Sequence, residues 1–291
     1  MKPLFLSDSL QKEFEENGFV KVDLLSKMEV DALLISYKSV LSEHEKINIP
    51  YITTSHSNNA DLISKVDSLL QKVIAPAINK IMCNYNLLFG NYLVKMPVAN
   101  SETDPHQDIT FVDEKEFASV NIWVALQDTN EENGCLYILK GSHKLMHTLR
   151  PSQNYPWAYE NAKEEIKRLA TPFQAKAGQA FIFNHAVVHG SYPNKTNRAR
   201  IAAVLAAYPD KADLLHYYLP TTENNLVSKY LMTKQAYLHF KKGEPPAMGI
   251  LLEKVNFDFK QISKTEFERL WQRRTGSTSF LNQALKFLKR R

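Results

Sequence analysis

Apolar positions fall with helical spacing near the start of the chain and with strand spacing through its centre. Residues 7 to 17 and 26 to 45 read as helices. In the second, Ser26 is an N-cap with Glu29 three positions on, and Met28, Leu33, Leu34 and Tyr37 fall near one face. Residues 46 to 60 lose the period: Pro50, several Ser and Thr and the pair Asn58-Asn59 predict a loop that could border an active-site mouth. Helical spacing returns over 61 to 84 through Leu62, Val66, Leu69, Leu70, Val73 and Ile74. Leu87 to Met96 then reads as a strand stopped by Pro97.

The centre is rich in strands. Ser119 to Gln127 places Asn121, Trp123 and Ala125 on one face. Asn133-Gly134 is a turn signal before a strand over Cys135 to Leu139, Gly178 precedes another over 179 to 183, and Ile201 to Tyr208 is a further strand with small alanines. Many strands divided by turn residues predict a sandwich or jelly roll. Residues 150 to 170 form an insertion whose Tyr155, Trp157 and Tyr159 either line a pocket or anchor the loop. Beyond Tyr208, residues 222 to 241 and 264 to 273 read as helices on either side of Gly243-Glu244-Pro245-Pro246. Ser279 to Arg291 puts Phe280, Leu281, Ala284, Leu285 and Leu288 on one side and ends in basic residues. It reads as a terminal helix packed on the body or, alternatively, one lying on an anionic membrane.

Composition narrows the class. A hydrophobic fraction of 44% and a charged fraction of 23% are those of a globular protein, and 291 residues suffice for one large core. A single domain over 1–291 is therefore expected. Two cysteines, Cys83 and Cys135, are too few for a disulfide framework and suggest a reducing compartment; nothing supports a bridge between them. The first residues lack a signal-peptide pattern and no apolar run is long enough to span a bilayer, so a cytoplasmic protein without an integral membrane segment is expected. The net charge of +5 is spread among mixed signs, without the basic stripe and aromatic platforms that nucleic acid requires. A small-molecule substrate is the expected partner. Oligomeric state is left open.

The chemistry is concentrated in two segments, Pro105-His106-Gln107-Asp108 and His185-Ala186-Val187-Val188-His189-Gly190-Ser191, the second running on to Arg198-Ala199-Arg200. On an extended strand His106 and Asp108 project together, and His189 must come from a distant strand to complete two histidines and one carboxylate on one side of a metal. An arginine nearby could grip the far carboxylate of a 2-oxo acid. The His-x-Asp pair alone is weak evidence, and His189 alone is more often structural. His185 shares strand parity with His189 and competes for the metal, and Arg198 and Arg200 share a face, so periodicity does not choose within either pair.

The order of several short motifs is more specific. Gln107-Asp108 after His106, Asn121-Ile122-Trp123-Val124-Ala125-Leu126, Glu132-Asn133-Gly134-Cys135-Leu136, Gly141-Ser142-His143-Lys144 and His189-Gly190-Ser191 with Asn194 together resemble the phytanoyl-CoA hydroxylase-like family, as does Phe14-Glu15-Glu16-Asn17-Gly18-Phe19-Val20 near the start. The likeness covers about residues 10 to 210, with 211–291 expected as a helical C-terminal extension. It implies a mainly β fold with flanking helices, a double-stranded β-helix of the jelly-roll, cupin-like kind. It also implies Fe(II)- and 2-oxoglutarate-dependent hydroxylation with O2, releasing succinate and CO2. By this resemblance His106, Asp108 and His189 are the iron ligands. Arg200, eleven residues after the distal histidine, is the co-substrate arginine in preference to Arg198. Ser191 lies beside the 2-oxoglutarate carboxylate, and Trp123 with Asn121 faces the co-substrate. The intact Asp108 argues against halogenation. A non-catalytic metal-binding protein of the same fold and a zinc-dependent cupin-type enzyme remain as alternatives.

Overall fold

The computed structural model describes residues 3–41, 49–152, 157–220, 225–241 and 243–276. In chain order the first half comprises helix α1 (Asp8–Asn17), strand β1 (Phe19–Asp23), helix α2 (Lys27–Leu41), strand β2 (Tyr51–Thr53), helix α3 (Ala60–Ile78), and strands β3 (Tyr85–Lys95), β4 (Thr103–His106), β5 (Val120–Ala125) and β6 (Leu136–Ile138). Then come helix α4 (Lys163–Leu169) and strands β7 (Thr171–Phe173), β8 (Gln179–Asn184), β9 (His189–Ser191), β10 (Arg200–Pro209), β11 (Leu215–Tyr218) and β12 (Leu226–Leu231). Helix α5 (Lys234–Leu238), strand β13 (Ile250–Asn256) and helix α6 (Lys264–Thr275) complete the described chain.

Local chemistry explains the helical starts. Ser7 caps α1 by accepting from the Leu10 amide, and Gly18, with φ 82°, closes it in the left-handed region that other residues avoid. At α2 the expected capping box is present: Glu29 Oε2 accepts from the Ser26 amide at 2.7 Å while Ser26 Oγ accepts from the Glu29 amide at 3.4 Å.

Two antiparallel sheets face each other. The larger runs β1-β8-β5-β10-β3-β2 and the smaller β4-β9-β6-β7. This is the double-stranded β-helix. Strand alternation divides the large sheet cleanly. Val120, Ile122 and Val124 of β5, Ala180 and Ile182 of β8 and Ala203 and Leu205 of β10 face the helices α1 to α3. Trp123, Phe181, Phe183, Ala202 and Val204 face inward, where they meet Leu136 of β6 and Phe173 of β7. Each large side chain so buried is worth about 1.5–3 kcal/mol over its exposed state. The inward face continues along β10 to Arg200 and along β5 to Asn121, so the same alternation that makes the core aims polar groups into it.

The region after residue 208 differs from expectation. The helix predicted over 222 to 241 is instead strand β12 and the short α5, with residues 221–224 outside the described set. The extension is not wholly helical: β11, β12 and β13 form a third antiparallel sheet. Valine, tyrosine and leucine of Leu226–Leu231 pair on both sides, and tertiary pairing overrides a weak helical period. Helix α6 is found where 264 to 273 predicts one, and it buries Phe267 and Trp271 against Trp157, Tyr159 and Ile166. Trp157 and Tyr159 thus anchor the insertion rather than line a pocket, while Tyr155 and the whole of 279–291 lie outside the described residues. Asp67 of α3 joins the parts: its carboxylate accepts from the amide of Gly90, beside the β3–β10 register shift, and pairs with Lys234 at the start of α5 at 3.1 Å. Both cysteines are free, and no described helix is long and apolar enough to cross a membrane.

Candidate metal centre

Strands β4 and β9 pair antiparallel with His106 directly opposite His189 and Thr103 opposite Ser191. The two imidazoles lie 4.4 Å apart between ring centroids. Strand β4 ends at His106, so Asp108 is not held by strand pairing. The next turn is held instead by the Asp108 amide donating to His185 O at 3.0 Å and by Gln107 Nε2 donating to Ala186 O at 2.7 Å. One donor atom from each of His106, Asp108 and His189 lies within 4.8 Å of the others, close enough to share one ion. Gly190 is required between the ligand strands, because a Cβ there would collide with the Tyr137 hydroxyl and the Thr103 carbonyl.

The tautomers follow from the partners. His106 Nδ1 is 2.8 Å from Asp104 O, and His189 Nδ1 is 3.0 Å from Val187 O. A carbonyl only accepts, so each Nδ1 carries a proton and Nε2 is the ring nitrogen left to face a metal. Burial pushes the His189 pKa down to about 4, and the neighbouring His106 adds to this, which keeps the ring neutral. At Asp108 burial works upward, but His189, His185, His106 and Arg150 outweigh it and hold the carboxyl below its ordinary range. Asn121 Nδ2 donates to Asp108 Oδ2 at 2.8 Å and orients the carboxylate.

The structure separates the pairs that periodicity left open. His185 is buried, its Nδ1 bonded to Ser119 Oγ at 2.7 Å, and it lies outside the donor cluster. Arg198 is exposed. Arg200 is 2% exposed, 5.4 Å from the Trp123 ring centroid, and its Nε and Nη1 have no hydrogen-bond partner among the described residues. Burial lowers its pKa to about 10, leaving it a cation at neutral pH. Ser191 and Trp123 are buried on the same interior.

A family model described as phytanoyl-CoA dioxygenase (PhyH) matches residues 14–202. The chain belongs to this family. Among curated members, phytanoyl-CoA dioxygenase domain-containing protein 1 of Danio rerio is 33% identical over 126 residues, covering 41% of this chain and 43% of that protein. Phytanoyl-CoA dioxygenase 1 of Oryza sativa subsp. japonica is 28% identical over 117 residues, covering 39% and 41%. The match thus spans about two fifths of these relatives' length. In fold, the chain is similar to the epimerase SnoN solved in complex with Fe3+, alpha ketoglutarate and nogalamycin RO, with TM-score 0.54, 20% identity, and coverage of 84% of this chain and 95% of that one.

Two residues of this PhyH-family site carry no sequence signal. Arg150 is 2% exposed; its Nε donates to Asp108 O, its Nη1 donates to Thr148 O at 2.8 Å and to Glu114 Oε2 at 2.9 Å, and its Nη2 makes a second contact to Glu114. It locks the backbone of the carboxylate donor in place. Glu114 and Arg150 belong to no short motif, and only the fold brings them together. A cavity of about 560 Å³ opens along Ile109 and Phe111, just past Asp108. Its wall includes Ser55 to Asn58 from the segment expected at the mouth, Ser152 from the insertion, and Tyr237 and Phe240 from beyond residue 208.

Proposed function

We propose that the protein is an Fe(II)- and 2-oxoglutarate-dependent dioxygenase that hydroxylates a C–H bond of a small or medium-sized metabolite. The observation that carries this reading is the convergence of two imidazoles and one carboxylate, one donor atom of each within 4.8 Å of the others. Two imidazoles and a carboxylate on one side of an ion suit Fe(II) with open positions. His106, Asp108 and His189 would hold the metal. When bound, iron and 2-oxoglutarate together supply the oxidising power to place one oxygen atom of O2 in the substrate and the other in succinate, with loss of CO2.

The chain's own residues do the rest. Arg200 has buried N–H groups in need of an anion, and its planar fork suits the far carboxylate of 2-oxoglutarate. Ser191, buried in the same interior, would offer its hydroxyl to the co-substrate, and the buried Trp123 ring, 5.4 Å from Arg200, would close that end to water. Asn121 and Arg150 keep Asp108 in one orientation, so that its charge faces the metal rather than solvent. The cavity beyond Asp108 receives the substrate. The iron and alpha ketoglutarate of the SnoN complex accord with this assignment.

The test is anaerobic titration of the purified protein with Fe(II) and then 2-oxoglutarate, followed by calorimetry. Stoichiometric binding of both is expected. Strong zinc binding with no affinity for 2-oxoglutarate would refute the reading.

A further inference from the structure

The cavity beyond Asp108 carries a hydrogen-bond relay whose direction is determined by its far end. Tyr237 OH donates to Leu215 O at 2.6 Å, which commits the phenol proton. His216 Nδ1 lies 3.3 Å from the same phenol oxygen and therefore donates to it. Burial pushes the His216 pKa down to about 4, so the ring is neutral and its Nε2 holds a lone pair. Ser152 Oγ lies 2.6 Å from that Nε2 and must supply the proton. His216 is fully buried and Ser152 is 5% exposed. With its proton turned inward, the Ser152 oxygen keeps only lone pairs for the cavity it lines. The cavity accordingly offers an acceptor at this point.

Around Ser152 the wall is aromatic. Phe89, Phe111 and Tyr237 pack at 5.3–6.5 Å between centroids, and Phe240 lies 6.5 Å from Tyr237. Rings packed on one another in this way make a rigid apolar wall, which favours an apolar, ring-bearing ligand. Among the described lining residues the fixed charges are Lys241 and Glu244, opposite in sign, with His56 the other titratable side chain beside the Tyr237 phenol, so no cluster of cations is gathered there for the phosphates of a coenzyme A thioester. The segment is coupled to the metal centre, since the Thr110 amide donates to Arg150 O at 2.9 Å while Arg150 grips Asp108 O.

We propose that the substrate is an uncharged, ring-bearing alcohol whose hydroxyl donates a hydrogen bond to Ser152 while its rings lie against Phe89, Phe111, Tyr237 and Phe240. This rests on the dioxygenase reading only in taking the cavity as that enzyme's substrate site.

The probes are 1-hydroxypyrene and its O-methyl ether, with decanoyl-CoA as competitor. Binding is followed by fluorescence on the Fe(II)- and 2-oxoglutarate-loaded enzyme without oxygen, and on the metal-free protein. The alcohol is expected to bind about tenfold more tightly than the ether, the cost of leaving a buried acceptor unpaired. In Ser152→Ala the two probes should bind alike, through weakening of the alcohol. Tyr237→Phe, which removes the acceptor for His216 Nδ1, should narrow the preference by a second route. Decanoyl-CoA should displace neither probe. Equal binding by the wild type, a preference that survives both substitutions, binding of neither probe, or displacement by decanoyl-CoA would overturn the proposal. Binding of 2-oxoglutarate, measured in parallel, separates the two claims. Its absence with the alcohol preference intact would sink the dioxygenase reading and leave the pocket assignment standing. Its presence without the preference would do the reverse.

Discussion

The candidate metal centre and the cavity proposed for the substrate are built in contrasting ways. At the metal end, three donors come from two short segments, and each imidazole is oriented by a carbonyl two residues away, Asp104 O or Val187 O. At the proposed substrate end, Phe89, Phe111, Ser152 and Tyr237 come from four separate stretches of chain. The first arrangement is local and therefore repeats as a motif. The second depends on how β3, the turn after β4, the insertion and α5 pack, so it has no fixed spacing. A fold can keep one chemistry while changing what enters, because the two ends are encoded at different ranges.

Several substitutions would break or sharpen this contrast. Asp108→Ala or His189→Ala should have the largest effect, abolishing Fe(II) binding and reducing succinate production to background while leaving aromatic probe binding within about threefold; loss of both would show that the ends are not separable. Arg200→Ala should raise the 2-oxoglutarate dissociation constant about a hundredfold, with Fe(II) binding kept, since it removes a buried charge-assisted pair. Arg198→Ala at the exposed neighbour should leave both constants unchanged, and if the effects were reversed the co-substrate role would pass to Arg198.

Arg150→Met probes the link between the ends. It leaves Glu114 without its partner and frees the Asp108 backbone, and about 3 kcal/mol of stability should be lost in urea unfolding. An unchanged midpoint would remove Arg150 from the architecture of the site.

The smallest effect concerns acid. Burial depresses the folded-state pKa of His216 to about 4, against 6.5 for the free side chain. As pH falls the unfolded chain takes up this proton first, so the stability from a neutral His216 is whole above pH 6.5 and is lost on descending through 4. The full loss is about 3 kcal/mol. His143, His185 and His189 shift in the same window, so the test compares wild type with His216→Gln at pH 7 and 4.5. The variant should lose less stability between the two pH values, and equal losses would show that His216 is protonated in the fold.

The same difference in range explains what was legible from residues alone. The capping box at Ser26, the strands around Trp123 and Ala202, and the triad segments are readable because their signals lie within a few residues. Periodicity left His185 and His189 level and the resemblance favoured His189; the β4–β9 register gives the physical reason, placing His189 opposite His106. The resemblance favoured Arg200, and the geometry gives the physical reason: it is buried beside Trp123 while Arg198 is in solvent. The third sheet escaped because Leu226 to Leu231 has no strand alternation strong enough to reveal its pairing with β11 and β13. Arg150 with Glu114, and Ser152 with His216, are contacts across 36 and 64 residues that only packing can create.

The most direct measurement is oxygen-dependent succinate formation from 2-oxoglutarate by Fe(II)-loaded protein, wild type against His106→Ala, with both variants shown to be folded. The account predicts succinate from the wild type only when iron and oxygen are both present, and none from His106→Ala. Equal succinate from both proteins, or none from a wild type that binds neither iron nor 2-oxoglutarate, would contradict it.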